Sequence, residues 1–583
     1  MSLDRNWAIE DIYDSEKDFE KDFLLASSFE GFGAFRGKLG EEKEFLNCMK
    51  KQEEISRIID KLYVYAMMKH DIDTSLSESS GRLSKIQGLA VKISSESSFI
   101  TPELISLPEE KLKSYLVNPK LKEYDYFIKC LLKEKQHVLC EEAENVLALS
   151  GEVLSSFKDI FTKIDNADLP LGKIKHKGES IEITHGGYGA VMHSSDRALR
   201  RKYFKKYYSA YSSLLNTITA TYSASVKKDV FVAKARGYES AISSALNSED
   251  VPVKVYQNLL EYVNKNLNLL HEYMRIKKKE SNIKDFYPYD IYASTVLDAE
   301  LNLEYDEAYD LCIEGLKPLG EDYVELLKRA KQERWIDVDE KKGKRSGAYS
   351  VCVYDTHPYV LLNYSKTTHD IFTIAHEMGH SIHSYYSNKA QPYFKADYKI
   401  FVAEVASTVN EVLLINHLLQ NAKDKKTEKF LLSYFMEMIR TTLYRQTQFA
   451  EFEEYSHSTV EKGEPLTKDG MSAKYLEINK KYYGDAVISQ GEIAYEWARI
   501  PHFYRAFYVY KYATGIISAI SFADKILTEG ESAVKNYKEF LSSGGKEGPV
   551  EILKQSGVDL TTSEPYERAF KTFEKLLSRY KDI

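Results

Sequence analysis

Residues 368–384 read THDIFTIAHEMGHSIHS. Ile371, Phe372, Ile374, Ala375 and Ile382 recur through this run at helical spacing, which predicts a buried helix. That geometry governs its polar residues. His376 and His380 are four apart, so both imidazoles lie on one face and can reach a single ion. Glu377 sits one position round from His376, close enough to hold a metal-bound water. Two neutral nitrogens, one carboxylate and one open position suit a catalytic Zn2+, one per chain. The competing reading is a pair of satisfied core histidines. Against it, polar side chains in so apolar a helix are costly unless they bind something.

A third ligand has to come from elsewhere. The extended pattern HExxHxxGxxH fails, because His383 takes the glycine place and Tyr386 the last histidine place. Glu404, within FVAEVASTVNEVLL (401–414), is an acidic residue among small and apolar neighbours on a predicted following helix. The alternative for it is a carboxylate capping a helix start. Glu411 lies two turns further along the same face, placed to orient a ligand imidazole from behind.

The 583-residue chain as a whole is predicted to be mainly α-helical, with two or three lobes. Hydrophobic residues make up 43%, prolines number 13, and strand-like pieces are few. Amphipathic helices are expected over 39–149. Between Phe161 and Met192, Ile181, Ile183, Gly186, Gly187 and Gly189 read as short extended pieces joined by turns. Lys341–Asn363 reads as loop and strand beside the metal helix. Further helices are predicted over Asp370–Ser387, Ala403–Leu419, Thr427–His457 and Pro501–Ile526. These changes of pattern suggest divisions at 1–110, 111–195 and 196–583.

A net charge of −8, from 88 acidic and 80 basic residues spread along the chain, argues against a nucleic-acid partner. Lys341, Lys342, Lys344 and Arg345 make one short basic loop, expected to be exposed. Five cysteines lack metal-ligand spacing and read as reduced. No apolar run reaches twenty residues and no secretion segment follows Met1, so a cytoplasmic protein without membrane contact is expected. Monomer and homo-oligomer both stay open.

Near the carboxy terminus, IPHFYRAFYVYKYATG (500–515) places Tyr508 and Tyr512 four apart, expected on one helix face with Tyr510 turned away. A phenol there can donate to the oxyanion that forms when water attacks an amide. Gly347, between Ser346 and Ala348, permits close approach of a substrate main chain, although a simple turn explains it almost as well. His357 precedes Pro358, and the extended backbone favoured there is expected to display its side chain.

Together SGAY (346–349), CVYDTHPYVLLNY (352–364) and the three blocks quoted above resemble the oligoendopeptidase F branch of the thimet oligopeptidase-like zinc peptidases. The resemblance is strongest over about 200–570 and looser around Asn6, Trp7, Ile9 and Tyr13. It implies a two-lobed helical metallopeptidase with a deep substrate channel and zinc at its floor. The activity it implies is cleavage of internal bonds in short unstructured peptides. It carries the ligand roles to His376, His380 and Glu404, the base to Glu377, and oxyanion contacts to His502, Tyr508 and Tyr512. More distant members separate that histidine from the first tyrosine by five residues, which here falls on Phe507; a one-residue offset favours Tyr508, with Tyr504 or Tyr510 as alternatives.

Rival chemistries have less support. No GxSxG elbow occurs, and Ser381 and Ser384 lie within the metal helix. Cys352 and His357 allow a thiol nucleophile only weakly. A helical peptide-binding scaffold would not need all four zinc-site residues. A zinc hydrolase of non-peptide amides is the runner-up.

Overall fold

The structure, a computed structural model, describes residues 4–296 and 299–583. Helices dominate it, as the periodicity predicts, and five short strands complete it among the described residues. The strands β1 (Lys173–His176) and β2 (Glu179–Glu182) form an antiparallel hairpin. The others, β3 (Ile336–Asp339), β4 (Tyr349–Val351) and β5 (Tyr359–Tyr364), form a sheet ordered β3-β5-β4. No helix among the described residues is long and apolar enough to cross a membrane.

Two compact units share the chain, and neither is continuous in sequence. One comprises Met1–Gln136, Glu300–Gln420 and Phe522–Val558; the other His137–Ala299, Asn421–Ser521 and Asp559–Ile583. The divisions suggested at 110/111 and 195/196 mark changes of local pattern, whereas these units group segments by packing.

In the first unit the HExxH helix spans Thr368–Ala390. Thr367 caps it by accepting the Asp370 N–H, and the Asp370 carboxylate accepts the Thr367 N–H at 2.9 Å. Such reciprocal caps stabilise a helix start by about 1 kcal/mol. Ile371, Phe372, Ile374, Ala375, Met378 and Ile382 are buried, as predicted. The sheet packs beside this helix, with Ser350 of β4 hydrogen-bonded to Ser381 at 2.8 Å.

The next long helix, Ile400–Gln420, carries Glu404 and packs on the HExxH helix more extensively than any other helix pair. Their approach is set by Gly379. A Cβ there would lie 2.5 Å from Ser407 Cα and 2.8 Å from the Ala406 carbonyl oxygen, so the helices meet backbone to backbone. Buried Asn410 pins the register: its Nδ2 donates to the Ala375 carbonyl at 3.0 Å while its Oδ1 accepts the Tyr323 hydroxyl at 2.9 Å.

The basic loop is exposed at Lys341, Lys342 and Arg345, as expected, and departs from expectation at Lys344. The Lys344 side chain is fully buried, and its ammonium donates to Asp337 Oδ1 at 2.6 Å and the Asp339 carbonyl at 2.8 Å. Arg345 pairs with Asp71 at 3.1 Å. An ammonium can be buried when a carboxylate and carbonyls replace its water, and these two pairings leave a weaker positive patch than the run suggests.

In the second unit, Gly186, Gly187 and Gly189 belong to a helix, His185–His193, and not to extended pieces. Thr184 caps it through the Gly187 N–H, and Tyr188 stacks on Tyr207 at 4.4 Å, which offsets the low helix propensity of glycine. The Thr427–His457 prediction corresponds to Lys425–Ile439 and Arg445–Glu461, joined without a break through a π-helical turn. The Pro501–Ile526 prediction is broken: a 3-10 turn covers Pro501–Tyr504 and the helix begins at Tyr510. Between them Phe507 takes φ +51, a left-handed value that ends helical continuity.

Candidate metal centre

The HExxH helix presents His376 and His380 to Glu404 across the Gly379 crossing. The two Nε2 atoms are 3.2 Å apart, and Glu404 Oε2 lies 3.3 Å from that of His376 and 3.6 Å from that of His380. Ligand atoms of all three residues fall within 4.8 Å of one another, the only such group of three among the described residues. Tetrahedral zinc with bonds of about 2.0–2.1 Å sets its ligand atoms roughly 3.3 Å apart, so this donor set fits zinc in type and spacing.

Glu411 stands where its spacing predicts, with Oε1 at 3.3 Å from His376 Nδ1. A proton kept on Nδ1 by that carboxylate leaves the Nε2 lone pair facing the other ligands. Glu377 is 7% exposed, one position round from His376. Burial raises its carboxyl pKa against the lowering effect of the two histidines. Burial opposes charge on His376, yet Glu411 and Glu404 raise its pKa well above the usual imidazole value. Burial likewise acts to raise the Glu404 pKa, and the two imidazoles outweigh it and hold the carboxyl well below the usual range. Three carboxylates around two imidazoles make a local field that favours a cation.

This geometry depends on the helix crossing. Gly379→Ala is expected to cost about 1–3 kcal/mol through overpacking and to move Glu404 away from the imidazoles. Urea unfolding and metal analysis check it: an unchanged midpoint together with full zinc content would show that the helices do not meet at Gly379. Gly379 and Asn410 were not singled out in the sequence. The available signal for the second was an amide amid the apolar run 401–414.

The substrate-loop residues are placed unequally. Ser346 and Gly347 are exposed and Ala348 half-buried, and Gly347 has φ +86. Asn363 Nδ2 donates to the carbonyls of Arg345 and Gly347 at 2.9 and 2.7 Å, so a held turn leads into edge strand β4. The display expected of His357 is not observed. Its side chain is 13% exposed, stacked on Trp335 with centroids 4.9 Å apart, and Nε2 lies 2.9 Å from Asp11 Oδ2. Ring stacking and the Asp11 contact outweigh the local backbone preference.

His502, Tyr508 and Tyr512 cluster within the second unit. Tyr508 stacks parallel to His502 at 6.0 Å and meets Tyr512 edge-on at 5.5 Å. Tyr508 lies before the helix, so the shared helix face expected for it and Tyr512 is replaced by a contact across the helix start. His502 is exposed and the two tyrosines half-buried, whereas Tyr504 and Tyr510 are buried against Phe161 and Tyr256. Partial desolvation of the ring by its neighbours, then the Arg505 charge, lowers the His502 pKa although the residue as a whole is exposed. Phe507 packs inward on His457 and Tyr256.

A short HExxH helix segment completed by a carboxylate from the following helix defines a metallopeptidase centre. Comparison with known proteins narrows the class. The model of peptidase family M3 matches residues 190–572, and that of oligopeptidase F matches 103–170. Oligopeptidase PepF of Bacillus subtilis is 40% identical over 587 aligned residues, covering 100% of this chain and 88% of that protein. An oligoendopeptidase F homolog of Lactococcus lactis is 38% identical, covering 99% and 97%. The crystal structure of oligoendopeptidase-F from Enterococcus faecium superposes with TM-score 0.74 at 33% identity, covering 97% and 99%. A solved structure from Chlamydophila abortus superposes with TM-score 0.94 at 36% identity, covering 99% and 98%. The chain belongs to peptidase family M3, within its oligoendopeptidase F group. It is a metalloendopeptidase of that type.

Proposed function

We propose that this protein is a zinc endopeptidase that cleaves internal bonds of short, unstructured oligopeptides, with one zinc per chain held by His376, His380 and Glu404. The observation that carries the reading is the convergence of these three donors within 4.8 Å beside buried Glu377. The oligopeptidase names of its relatives support the substrate class.

When bound, zinc supplies Lewis-acid polarisation of water and of the scissile carbonyl. Glu377 takes the proton of the attacking water and, once protonated, delivers it to the leaving amine. Glu411 keeps His376 oriented through Nδ1. Hydroxyl donation to the oxyanion falls to Tyr508 and Tyr512, with His502 beside them; their partial exposure and mutual contacts support this over Tyr504 and Tyr510. The turn at Ser346–Ala348 and edge strand β4 offer main-chain pairing that reads an extended peptide without demanding a sequence. A channel that admits only extended chains is what the family resemblance implies. Five cysteines, none in a disulfide, support a cytoplasmic setting.

The test is mass spectrometry of products from unstructured peptides of about five to forty residues, beside a stable protein that embeds the same cleaved segment. Internal cleavage is expected to peak among short peptides, to stop with a chelator and to spare the folded segment. Equal rates on the folded segment, stepwise loss of terminal residues, or a preference for small acylated amines would overturn the reading.

A further inference from the structure

Tyr508 is presented by the segment between the Pro501–Tyr504 turn and the Tyr510–Glu529 helix, and its geometry hinges on Phe507. Phe507 sits at φ +51, a conformation that a residue bearing a Cβ keeps only when its surroundings impose it. One face of the Arg445–Glu461 helix does so. Glu453 Oε1 accepts the Phe507 N–H at 2.6 Å, and one turn on, the His457 ring lies 4.5 Å from the Phe507 ring. His457 is itself fixed, with Nδ1 at 2.9 Å from the Glu453 carbonyl and Nε2 at 3.4 Å from Asp229.

Glu453 is an unusual residue for this place. It is 1% exposed, and Oε2 has no hydrogen-bond partner among the described residues. Burial pushes its carboxyl up to about 8, against the lowering effect of His457 and of the Phe507 N–H that Oε1 accepts. A helix position that served only to fill the core would be occupied by an apolar side chain at lower cost. Immediately after Phe507, the Tyr508 carbonyl accepts the Lys511 N–H at 3.2 Å and begins the next helix, while Arg505 and Lys511 flank the Tyr508 ring at 4.1 and 4.9 Å. If Phe507 relaxed to the right-handed region, the backbone bearing of Tyr508 would change with it.

We propose that Glu453 is a positioning residue that holds Phe507 in its left-handed conformation and thereby aims Tyr508. The proposal rests on the reading of Tyr508 as an oxyanion donor. Its mode of action is the hydrogen bond that Oε1 accepts from the Phe507 N–H.

The experiment compares wild type with Glu453→Ala, Glu453→Gln, Tyr508→Phe and the double variant Glu453→Ala/Tyr508→Phe. Glu453→Leu replaces Ala where Ala does not fold. Three quantities are read: kcat and KM on a short quenched peptide, zinc content, and amide hydrogen exchange of the 503–512 segment. Glu453→Ala is expected to speed exchange in that segment and to lower kcat by about tenfold to a hundredfold, with KM within twofold and zinc retained. Gln keeps an accepting carbonyl and should restore most of both losses. The double variant should fall little further than Tyr508→Phe alone, because both act through one hydroxyl. Unchanged exchange and kcat in Glu453→Ala, a Gln variant as impaired as Ala, or losses that multiply in the double variant would each overturn the proposal. Full activity in Tyr508→Phe would refute the oxyanion reading separately, and the exchange data would still show whether Glu453 holds the segment.

Discussion

Glu377→Gln is expected to lower turnover on the order of a thousandfold or more while the protein remains folded and keeps its zinc. The two side chains have nearly the same volume, so the packing around buried position 377 is preserved. What disappears is the oxygen able to take a proton. In its carboxylate form Glu377 accepts the proton of water, and in its acid form it supplies the leaving amine, so one substitution removes both transfers. The amide of glutamine is neither basic nor acidic enough for either. Steady-state kinetics at saturating peptide, with zinc measured on the same sample, checks the result. Activity within tenfold of wild type, in protein shown free of contaminating peptidase, would exclude Glu377 as the base.

Loss of zinc together with activity is expected for His376→Ala, His380→Ala and Glu404→Ala. Each side chain contributes one of three donors, and the remaining two cannot close a site around the ion. His376→Ala also strands Glu411, which faces Nδ1 at 3.3 Å. Metal analysis after gel filtration, on wild type and the three variants, decides the ligand set. Near-stoichiometric zinc retained by each single variant would reject it.

Several features were legible in the sequence because they are local. A spacing of four sets two imidazoles on one helix face wherever that helix lies, and the apolar neighbours of His376 imply burial without knowledge of what buries them. Glu404 and Glu411 were legible for the same reason, being two turns apart on a second helix. The blocks over 346–384, 401–414 and 500–515 carried the family, because each combines several chemically constrained residues at fixed spacing.

Local patterns failed where packing or long-range pairing overrules propensity. The glycines at 186, 187 and 189 lie in a helix held by a cap and an aromatic stack. Lys344 is buried because Asp337, seven residues earlier, lies beside it on β3. His357 packs on Trp335. The helix read through 501–526 is interrupted over 505–509, where Phe507 takes φ +51 and donates its N–H to Glu453, 54 positions away.

A mainly helical metallopeptidase, its family, and the two helix faces from which the metal donors project were thus readable along the chain, since 3.6-residue periodicity depends only on sequence neighbours. How those faces meet is a matter of packing. The absent Cβ at Gly379 lets the backbones approach, and Asn410 sets the register that brings Glu404 Oε2 to 3.3 Å from His376 Nε2, a contact between residues 28 positions apart that no repeat along the chain encodes.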